Sequence, residues 1–555
     1  MPSELDLRFD AMLSRITGHG GRVVVDRDEE GRAIVANFPA TLPAFFRTFC
    51  ALNAASEAVV CGDERLTFAD LDRESEELAR ALVARGIAPG DRVGIAMRNS
   101  PAWIICYFAI LEAGGVATLL NGWWEHHELD HALKLTEPVL VIADSARAKR
   151  LAACVTKAET LTLEVERPIA EALAPLLGEG ASDAIELPAV DPEDDATILF
   201  TSGSTGDAKG AVSTHRAVTT AAYTYANALV VMLGLLIAEG RGPASKPRVL
   251  LAVPLFHVTG EVPVMLTSIV IGRCLVMMPK WDSTEALKLI EKEKITYFVG
   301  VPTMSLELMT NPDHDKYDVS SMTDIAAGGA PRPISHVGRL KQTFPSAQPG
   351  LGYGLTETNA VGAQNFWQNY ADKPGSTGRA HAPFVEFAIL GGADERHLGP
   401  NETGEIAIRT AANIRGYWKA PEATAALFTP DHFVRTGDIG YLDEDGYLFI
   451  VDRKKEIIIR GGENIASAEV EAACYACPSV SEASVFGAPD DRLGEVPVAV
   501  IYAEDGIAEA DLRAFLEERI ARFKVPERFI IVDEPLPKLG TGKIDRPALK
   551  EKYAR

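Results

Sequence analysis

Strand-like and helix-like segments alternate along most of this chain, and the alternation limits the folds that it can adopt. Apolar residues recur at helical spacing in LTFADLDRESEELARALVARGI (66–87), and PGDRVGIAM (89–97) then forms a turn and a strand. A second cycle has helical SPAWIICYFAILEAGGVATLL (100–120), helical EHHELDHALKL (125–135) and the apolar strand VLVIA (139–143). Because strands that alternate with helices form largely parallel sheets covered by helices, we expect an α/β fold.

The pattern changes toward the C-terminus, where shorter strands follow one another. In YLDEDGYLFIVDRKKEIIIRGGEN (441–464), DEDG between two hydrophobic runs predicts a hairpin turn. The charged segment DRKKE (452–456) is the candidate domain boundary. We therefore predict a large domain over residues 1–454, with helix-flanked, largely parallel sheets and a smaller sheet subdomain, and a small α+β domain over residues 455–555.

Charge and composition exclude several classes of protein. A net charge of −23 argues against nucleic-acid binding, which needs a basic face. The N-terminus has early acids and no secretory signal, and the longest apolar run, ALVVMLGLLIA (228–238), falls short of the roughly 18 residues of a membrane span. Seven cysteines do not make a disulfide scaffold, and CYAC (474–477) has no second CxxC pair. We expect a cytoplasmic protein, with weak attachment to a membrane surface left open.

One glycine-rich loop has the composition of an anion-binding turn. ILFTSGSTGDAKGA (198–211) places three glycines and four hydroxyls around Lys209, which suits a polyphosphate. The P-loop pattern fails, because Ala208 stands where its second glycine belongs and Gly210 follows the lysine. A strand before the loop and a helix-compatible stretch after it favour a phosphate-facing turn over a flexible surface connection.

Three further stretches complete a recognisable set: GYGLTETNA (352–360), VRTGDIGYLDEDGYLFIVDRKKEIIIRGGENI (434–465) and LPKLGTGKIDR (536–546). In this order they resemble the adenylate-forming superfamily of acyl-CoA synthetases, luciferase and peptide-synthetase adenylation domains, and most closely the acyl-CoA synthetases. The resemblance runs from about residue 40 to the end. It departs from the family pattern at Ala208, Ser467 and Leu539, which we expect to alter loop stiffness only.

The resemblance implies an ATP site and a carboxylic acid substrate that becomes an acyl-AMP. Asp438 would accept the ribose hydroxyls with help from Arg453, Tyr353 would lie against adenine, and Thr356 would touch the α-phosphate. The complete implied ATP-binding set is Thr201, Ser202, Gly203, Ser204, Thr205, Gly206, Lys209, Gly328, Gly329, Ala330, Tyr353, Gly354, Thr356, Asp438 and Arg453.

The resemblance also implies the catalytic residues. Lys543 would neutralise carboxylate and α-phosphate as they meet, Glu357 would bind Mg²⁺, and His257 would lie beside the acyl carboxylate. Because Lys543 belongs to the small domain, that domain is expected to be mobile, with its hinge at Lys455. Gly461 and Gly462 would line the coenzyme A passage. The residues expected around an acyl pocket are His257, Gly260, Gly350, Gly352, Ala360 and Gly362.

Coenzyme A is the expected acceptor, because the chain ends soon after LPKLGTGKIDR and leaves no room for a carrier domain. LFHVTG (255–260) lacks the aspartate that amino-acid-activating relatives place for the amine, so we expect an acid without an α-amino group: fatty, aryl or alicyclic. Loading of a carrier protein, luciferase-like oxygenation, a non-catalytic binder and a homodimer stay open. HELDH (127–131) matches the HExxH pattern of zinc hydrolases, but no third ligand is evident.

Overall fold

A computed structural model describes residues 1–177, 184–201, 208–242, 246–330, 332–392, 395–460, 463–490, 492–539 and 542–554. The helices in this part of the chain are α1 (Glu4–Thr17), α2 (Leu42–Leu52), α3 (Phe68–Ala84), α4 (Pro101–Glu112), α5 (His126–Thr136), α6 (Ser145–Leu151), α7 (Ile169–Leu177), α8 (His215–Ala238), α9 (Thr267–Ile271), α10 (Ser283–Glu293), α11 (Pro302–Thr310), α12 (Ile334–Thr343), α13 (Trp367–Asp372), α14 (Pro421–Leu427), α15 (Ser467–Tyr475), α16 (Glu509–Glu517) and α17 (Arg546–Tyr553).

The strands in the same part of the chain are β1 (Val25–Arg27), β2 (Ala33–Val35), β3 (Glu57–Cys61), β4 (Glu64–Thr67), β5 (Arg92–Ala96), β6 (Val116–Leu119), β7 (Leu140–Asp144), β8 (Glu159–Leu163), β9 (Asp195–Thr201), β10 (Lys209–Thr214), β11 (Arg248–Leu251), β12 (Cys274–Met277), β13 (Tyr297–Gly300), β14 (Asp324–Ala327), β15 (Gln348–Gly354), β16 (Gly362–Phe366), β17 (Arg379–Ala380), β18 (Glu386–Gly391), β19 (Arg396–His397), β20 (Gly404–Arg409), β21 (Gly416–Tyr417), β22 (Val434–Leu442), β23 (Leu448–Arg453), β24 (Ile458–Arg460), β25 (Glu463–Ile465), β26 (Glu482–Asp490), β27 (Gly494–Tyr502) and β28 (Arg528–Val532).

Two large mixed sheets form the body of the N-terminal domain. One has the strand order β21-β10-β9-β6-β5-β7-β8 and is parallel from β9 to β8. The other has the order β17-β16-β15-β14-β13-β11-β12-β3-β4 and is parallel from β15 to β3. The antiparallel strands lie at the edges of both sheets, so the prediction of helix-flanked, largely parallel sheets is confirmed.

Helix α4 lies at the centre of the core, and its sequence explains why. All twelve of its residues are buried, and a helix that is apolar all round must be covered on every side. Its Phe108 ring stacks on the Phe46 ring of α2, with centroids 3.7 Å apart. One continuous hydrophobic core includes α2, α4 and residues from both large sheets, such as Ile95 and Val249.

Two smaller sheets follow. The order β19-β18-β20-β22-β23 is the predicted sheet subdomain, and the predicted hairpin joins β22 to β23 with Leu442 opposite Leu448. The C-terminal sheet has the order β25-β24-β27-β26, with β28 parallel to β27. Cys474 and Cys477 of CYAC are free thiols buried in the core of this smaller domain. The boundary at residues 454/455 stays a prediction.

Three sequence predictions were wrong in detail. The helix predicted to reach residue 120 ends at Glu112, because Gly114 adopts a φ of 75° and the next residues form β6. The glycine-rich loop leads into β10, which pairs antiparallel with β9, and only then into a helix. The apolar run at residues 228–238 is predicted to be too short to span a membrane. It forms the end of α8, however, which has 24 residues and is long and apolar enough to span one. The most apolar 18 residues of α8 are 56% buried within the protein, so the length and composition of the helix are weak evidence for a membrane span.

Candidate active site

A large cleft opens where the sheets and the C-terminal domain meet. Its volume is about 2900 Å³, and the parallel strands β14 and β15 end at it. The predicted site residues that line the cleft are Thr201, Lys209, His257, Gly328, Gly329, Ala330, Gly350, Gly352, Tyr353, Gly354, Thr356, Glu357, Ala360, Asp438, Arg453, Lys455 and Lys543. Ligands commonly bind at the carboxyl ends of strands in open α/β sheets. The fold therefore collects residues that are more than three hundred positions apart in the sequence.

Asp438 is the buried carboxylate of this cleft. It is 4% exposed and accepts a hydrogen bond of 2.6 Å from the Tyr353 hydroxyl. Its other oxygen lies 3.2 Å from Nε of Arg453, which is the opposite residue in the β22–β23 register. Burial raises the pKa of Asp438, and the nearby Arg453 charge opposes that rise. Both oxygens of this buried carboxylate are thus held in place by side chains that line the cleft.

Lys543 reaches the cleft from the C-terminal domain. A Cβ atom placed on Gly329 would lie 3.3 Å from Cε of Lys543, and Gly329 has a φ of 75°, so glycine permits this close approach. The Thr303 hydroxyl donates 3.2 Å to the carbonyl of Gly542 and holds the lysine loop against α11. Burial, with the Arg453 charge as a second cause, lowers the pKa of Lys543 to about 8.

Glu357 is held by a residue that the sequence analysis missed. The Tyr417 hydroxyl donates 2.7 Å to Oε1 of Glu357, and Nζ of Lys209 lies 5.1 Å from the centroid of the Tyr417 ring. Tyr417 reaches this position because β21 pairs with β10, with Tyr417 opposite Ala211. Tyr417 thus contacts both Glu357 and Lys209. No local pattern signals that pairing, since it joins segments about two hundred residues apart.

His257 lines the same cleft and is present as a neutral imidazole. Its Nδ1 accepts 3.2 Å from the backbone N–H of Thr259, which leaves Nε2 as the protonated nitrogen. Burial, and then the charge of Lys543, lowers the pKa of His257 to about 3. The imidazole can therefore donate a hydrogen bond at neutral pH without adding positive charge.

The glycines predicted for an acyl pocket divide into two groups. Gly350, Gly352 and the small Ala360 line the cleft. Gly260 instead packs against a backbone carbonyl, where a Cβ atom would lie 2.1 Å from the Pro254 oxygen. Gly362 is also required by backbone packing, since its Cβ would come within 2.5 Å of the Tyr353 carbonyl oxygen. Close approach of backbones therefore explains these two glycines.

Some predicted residues cannot be placed. Ser202, Gly203, Ser204, Thr205, Gly206, Gly461 and Gly462 lie outside the described residues. Thr201 and Lys209, which flank the glycine-rich loop, are opposite each other in the β9–β10 pairing and both line the cleft. The ends of the loop are therefore fixed at the cleft wall.

The HELDH segment lies at the start of helix α5 (His126–Thr136), and Glu128 and His131 form hydrogen bonds within the protein. Glu128 accepts from the backbone N–H of Glu125 at 3.1 Å, which caps the helix. Nε2 of His131 lies 3.0 Å from the carbonyl oxygen of Ala208. Among the described residues, no group of three or more His, Cys, Asp or Glu side chains could hold a metal ion. The geometry gives the zinc-hydrolase alternative no support.

Comparisons with known proteins identify the family of the chain. The model of the AMP-binding enzyme family matches residues 46–418, and the model of the AMP-binding enzyme C-terminal domain matches residues 469–543. The chain belongs to the AMP-binding enzyme family. This membership confirms the resemblance to adenylate-forming enzymes that the motifs carried.

Individual relatives of this AMP-binding enzyme extend over nearly its whole length. It is 33% identical to a long-chain-fatty-acid–CoA ligase of Bacillus subtilis (strain 168), with 88% of this chain and 90% of the relative covered. It is 35% identical to a feruloyl-CoA synthase of Amycolatopsis sp, with 90% and 97% covered. ATP-bound MatB from Rhodopseudomonas palustris superposes with a TM-score of 0.80 at 28% identity, with 92% and 99% covered.

Proposed function

We propose that this protein is an AMP-forming acid–CoA ligase, which activates a carboxylic acid with ATP and transfers the acyl group to coenzyme A. The observation that carries the proposal is the meeting of Lys543, from the C-terminal domain, with Asp438, Glu357 and His257 in one cleft. Two of its relatives are named long-chain-fatty-acid–CoA ligase and feruloyl-CoA synthase. Transfer to coenzyme A is therefore favoured over loading of a carrier protein.

The residues of the cleft fit ATP. Asp438 has two carboxylate oxygens for the two ribose hydroxyls, and Tyr353 and Arg453 hold that carboxylate in place. The backbone of Gly328, Gly329 and Ala330 lines the same wall without bulky side chains. Lys209 stands at the end of the glycine-rich loop, where it would meet the β- and γ-phosphates.

Glu357 is the proposed Mg²⁺ ligand. A single carboxylate with phosphate oxygens and water is the ligand set that Mg²⁺ commonly accepts. The ion would draw charge from the phosphate oxygens and so ease departure of pyrophosphate. Tyr417, which donates to Oε1, leaves Oε2 of Glu357 available for the ion and fixes the orientation of the carboxylate.

Lys543 would supply the main electrostatic assistance in the first step. A carboxylate oxygen of the acid attacks the α-phosphorus, the bond to the β-phosphate oxygen breaks, and pyrophosphate leaves. Two anions must approach each other in that step, and the ammonium group placed between them stabilises the transition state. His257, as a neutral hydrogen-bond donor, would orient the acid carboxylate, and Lys543 would supply the positive charge.

In the second step the coenzyme A thiol must reach the acyl carbon, beside which Lys543 would lie. The coenzyme A thiol gives up its proton to water, its sulfur attacks the acyl carbon, and AMP leaves with the electrons of the broken bond. We infer that the C-terminal domain withdraws Lys543 between the two steps by rotation at Lys455, which lies between β23 and β24 of different sheets.

The half-reactions separate these roles. Lys543→Ala is expected to slow acyl-AMP formation by about 10²–10³-fold, because one transition-state donor is lost. It should still convert supplied acyl-AMP and coenzyme A to thioester, since that step does not use the lysine. Single-turnover assays of each step would measure both rates.

The matched control is Lys552→Ala, an exposed lysine in α17 of the same domain. It should leave both steps unchanged. Equal loss of both half-reactions in a Lys543→Ala protein with an unchanged melting curve would contradict the division of roles. Absence of pyrophosphate release with every acid tested would contradict the ligase assignment itself.

A further inference from the structure

We call the part of the cleft beside Gly328 and Asp438, where ATP is proposed to bind, the nucleotide end. From there the cleft continues along one face of the nine-stranded sheet. Alternate residues of a strand face the same side, and three neighbouring strands are in register here. Val299, Ala326 and Gly350 form one cross-strand row, and Tyr297, Asp324 and Gln348 form the next row toward the amino ends of the strands. All six line the cleft, so the open space follows the sheet face past both rows.

The side chains of the first row are small, so they leave a passage along the face of the sheet. Gly350 has no side chain, and even a Cβ atom there would make only ordinary contact with Ala326, at 3.5 Å. The second row is chemically different, because it carries a phenol, a carboxylate and an amide. From Gly352, beside the nucleotide end, to Gln348 is four residues of one strand, or roughly 13 Å. The passage thus leads from the adenylation end to a polar end.

A buried arginine occupies that polar end. Arg273 precedes β12, is 3% exposed and lines the cleft. Its guanidinium carbon lies 4.7 Å from the centroid of the Tyr297 ring. Nε donates 2.9 Å to the Ser268 hydroxyl, and Nη2 donates a long bond of 3.4 Å to the Pro263 carbonyl. Over the described ranges, no carboxylate lies within 4.0 Å of this guanidinium, and Nη1 makes no hydrogen bond.

The carboxylate at this end of the cleft is committed elsewhere. Asp324 accepts 3.0 Å from the indole N–H of Trp367 and influences Arg273 only at longer range. Arg241, at the cleft margin, forms its own ion pair with Glu239 at 2.9 Å. A buried charge without a close counter-charge is costly, and proteins generally retain one only where a partner binds. The end of the passage is therefore incomplete without an external acceptor.

We propose that Arg273 binds a second oxygen acceptor carried by the acid substrate at its end remote from the activated carboxylate. The inference rests on the proposed ligase function and narrows its substrate class to bifunctional acids, with a carboxylate or a ketone at the far end. A plain alkyl terminus would instead be placed against the guanidinium with nothing to pair with it. Arg273 is thus a specificity-determining residue, and its contact with the substrate lies far from the bond-making atoms.

Matched acids test this directly. Each set contains a plain alkanoic acid, the dicarboxylic acid of equal chain length and an oxo acid with a methyl ketone at the far end. Sets from hexanoic to tetradecanoic acid cover the length of the passage. For the wild type, kcat/KM from pyrophosphate release and from thioester formation should favour a functionalised acid by roughly tenfold or more over its plain partner.

Three variants assign the preference to Arg273. Arg273→Met keeps a long side chain without donors and should reduce the ratio of functionalised to plain acid to near one, mainly through KM. Arg273→Lys keeps the charge and should retain part of the preference. Lys288→Met, on an exposed part of α10, is the control and should change nothing. If the ratio of kcat/KM to that of the plain acid is higher for the dicarboxylic acid than for the oxo acid, Arg273 binds a carboxylate. If it is higher for the oxo acid, Arg273 binds a ketone.

The ratio distinguishes recognition from a structural role, because a destabilised protein would lose activity on both acids together. A wild type that prefers plain acids at every length, or a ratio that Arg273→Met leaves unchanged, would overturn the inference while acid activation itself remained. No pyrophosphate release with any acid would overturn the ligase function and this inference with it. If Arg273→Met does not fold, the wild-type ratio and the Arg273→Lys ratio decide.

Discussion

Tyr417 illustrates how one side chain can position the chemistry of another. Its hydroxyl donates to Glu357, and its ring lies beneath the ammonium group of Lys209. Tyr417 therefore positions both of the groups that would contact ATP phosphate and Mg²⁺. Residues that orient a metal ligand in this way typically change affinity or activity by 10–100-fold when they are removed.

Tyr417→Phe removes only the hydroxyl and keeps the ring beside Lys209. We expect a roughly tenfold lower rate of pyrophosphate release and a higher Mg²⁺ concentration for half-maximal activity, because the Glu357 carboxylate loses its fixed orientation. A Mg²⁺ titration at saturating ATP would measure both effects. Tyr502→Phe, in β27 of the smaller domain, is the matched control. An unchanged Mg²⁺ requirement would argue against the positioning role.

At the scale of elements, the π-helical turn Gly260–Leu266 connects the site to the core. It begins three residues after His257 and contains Glu261, which is fully buried. The Tyr107 hydroxyl of α4 donates 2.7 Å to Oε1 of Glu261, while Oε2 has no partner in the part of the chain that the structure describes. Burial raises the pKa of Glu261 to about 7. The backbone N–H of Glu261 donates 3.0 Å to the carbonyl of His257. The segment that carries His257 therefore packs against a carboxyl group that is protonated more readily than usual.

This raised pKa predicts a pH-dependent stability. The folded state binds the Glu261 proton more tightly than the unfolded chain, whose carboxyl has a pKa near 4.5. The stabilising contribution is complete below about pH 4.5 and is lost as the pH rises through about 7. Glu261→Gln keeps an acceptor for Tyr107 and removes the titration. We expect its melting temperature to exceed that of the wild type at pH 8, by an amount equivalent to up to about 3 kcal/mol.

Comparison at two pH values isolates the effect, since other buried carboxyls titrate equally in both proteins. The difference in melting temperature should shrink toward zero near pH 5. Glu285→Gln, an exposed position in α10, should give no difference at either pH. An offset of equal size at pH 5 and pH 8 would contradict the assignment to the Glu261 proton.

At the scale of the whole molecule, the first helix fastens distant parts of the large domain together. Asp6 of α1 is 3% exposed and accepts hydrogen bonds from Asn369, Tyr447 and Arg379, at 3.0, 2.9 and 3.2 Å. Helix α1 also packs along α8, and both helices contribute side chains to the wall of the cleft. The start of the chain thereby supports the part of the cleft wall where we propose that the acyl group binds.

Breaking this network should affect stability and acid binding together. Asp6→Ala leaves three donors without their acceptor, and the loss of one partner in a buried ionic network typically costs about 3–5 kcal/mol. We expect a lower melting temperature and a several-fold higher KM for the acid, with the KM for ATP unchanged. Glu4→Ala, exposed in the same helical turn, is the control. Equal increases in both KM values would indicate a general loss of structure.

Much of the architecture follows from local patterns in the sequence. Alternating segments predicted helix-flanked parallel sheets, and DEDG predicted the β22–β23 hairpin that brings Arg453 opposite Asp438. These features depend on backbone preferences and periodicity over a few residues, which the sequence displays directly. The motif set also predicted the residues that the fold gathers in the cleft, because their types and order resemble a known family.

Only the tertiary structure decided which distant groups touch. Gly260 and Gly362 were expected in a pocket, yet backbone carbonyls of other segments require them to be glycine. Tyr417 and Arg273 carried no local signal, because an edge-strand pairing places the first and burial at the amino end of the sheet places the second. Side-chain periodicity specifies which face of an element is buried. The partner on that face is set by packing between elements that are hundreds of residues apart.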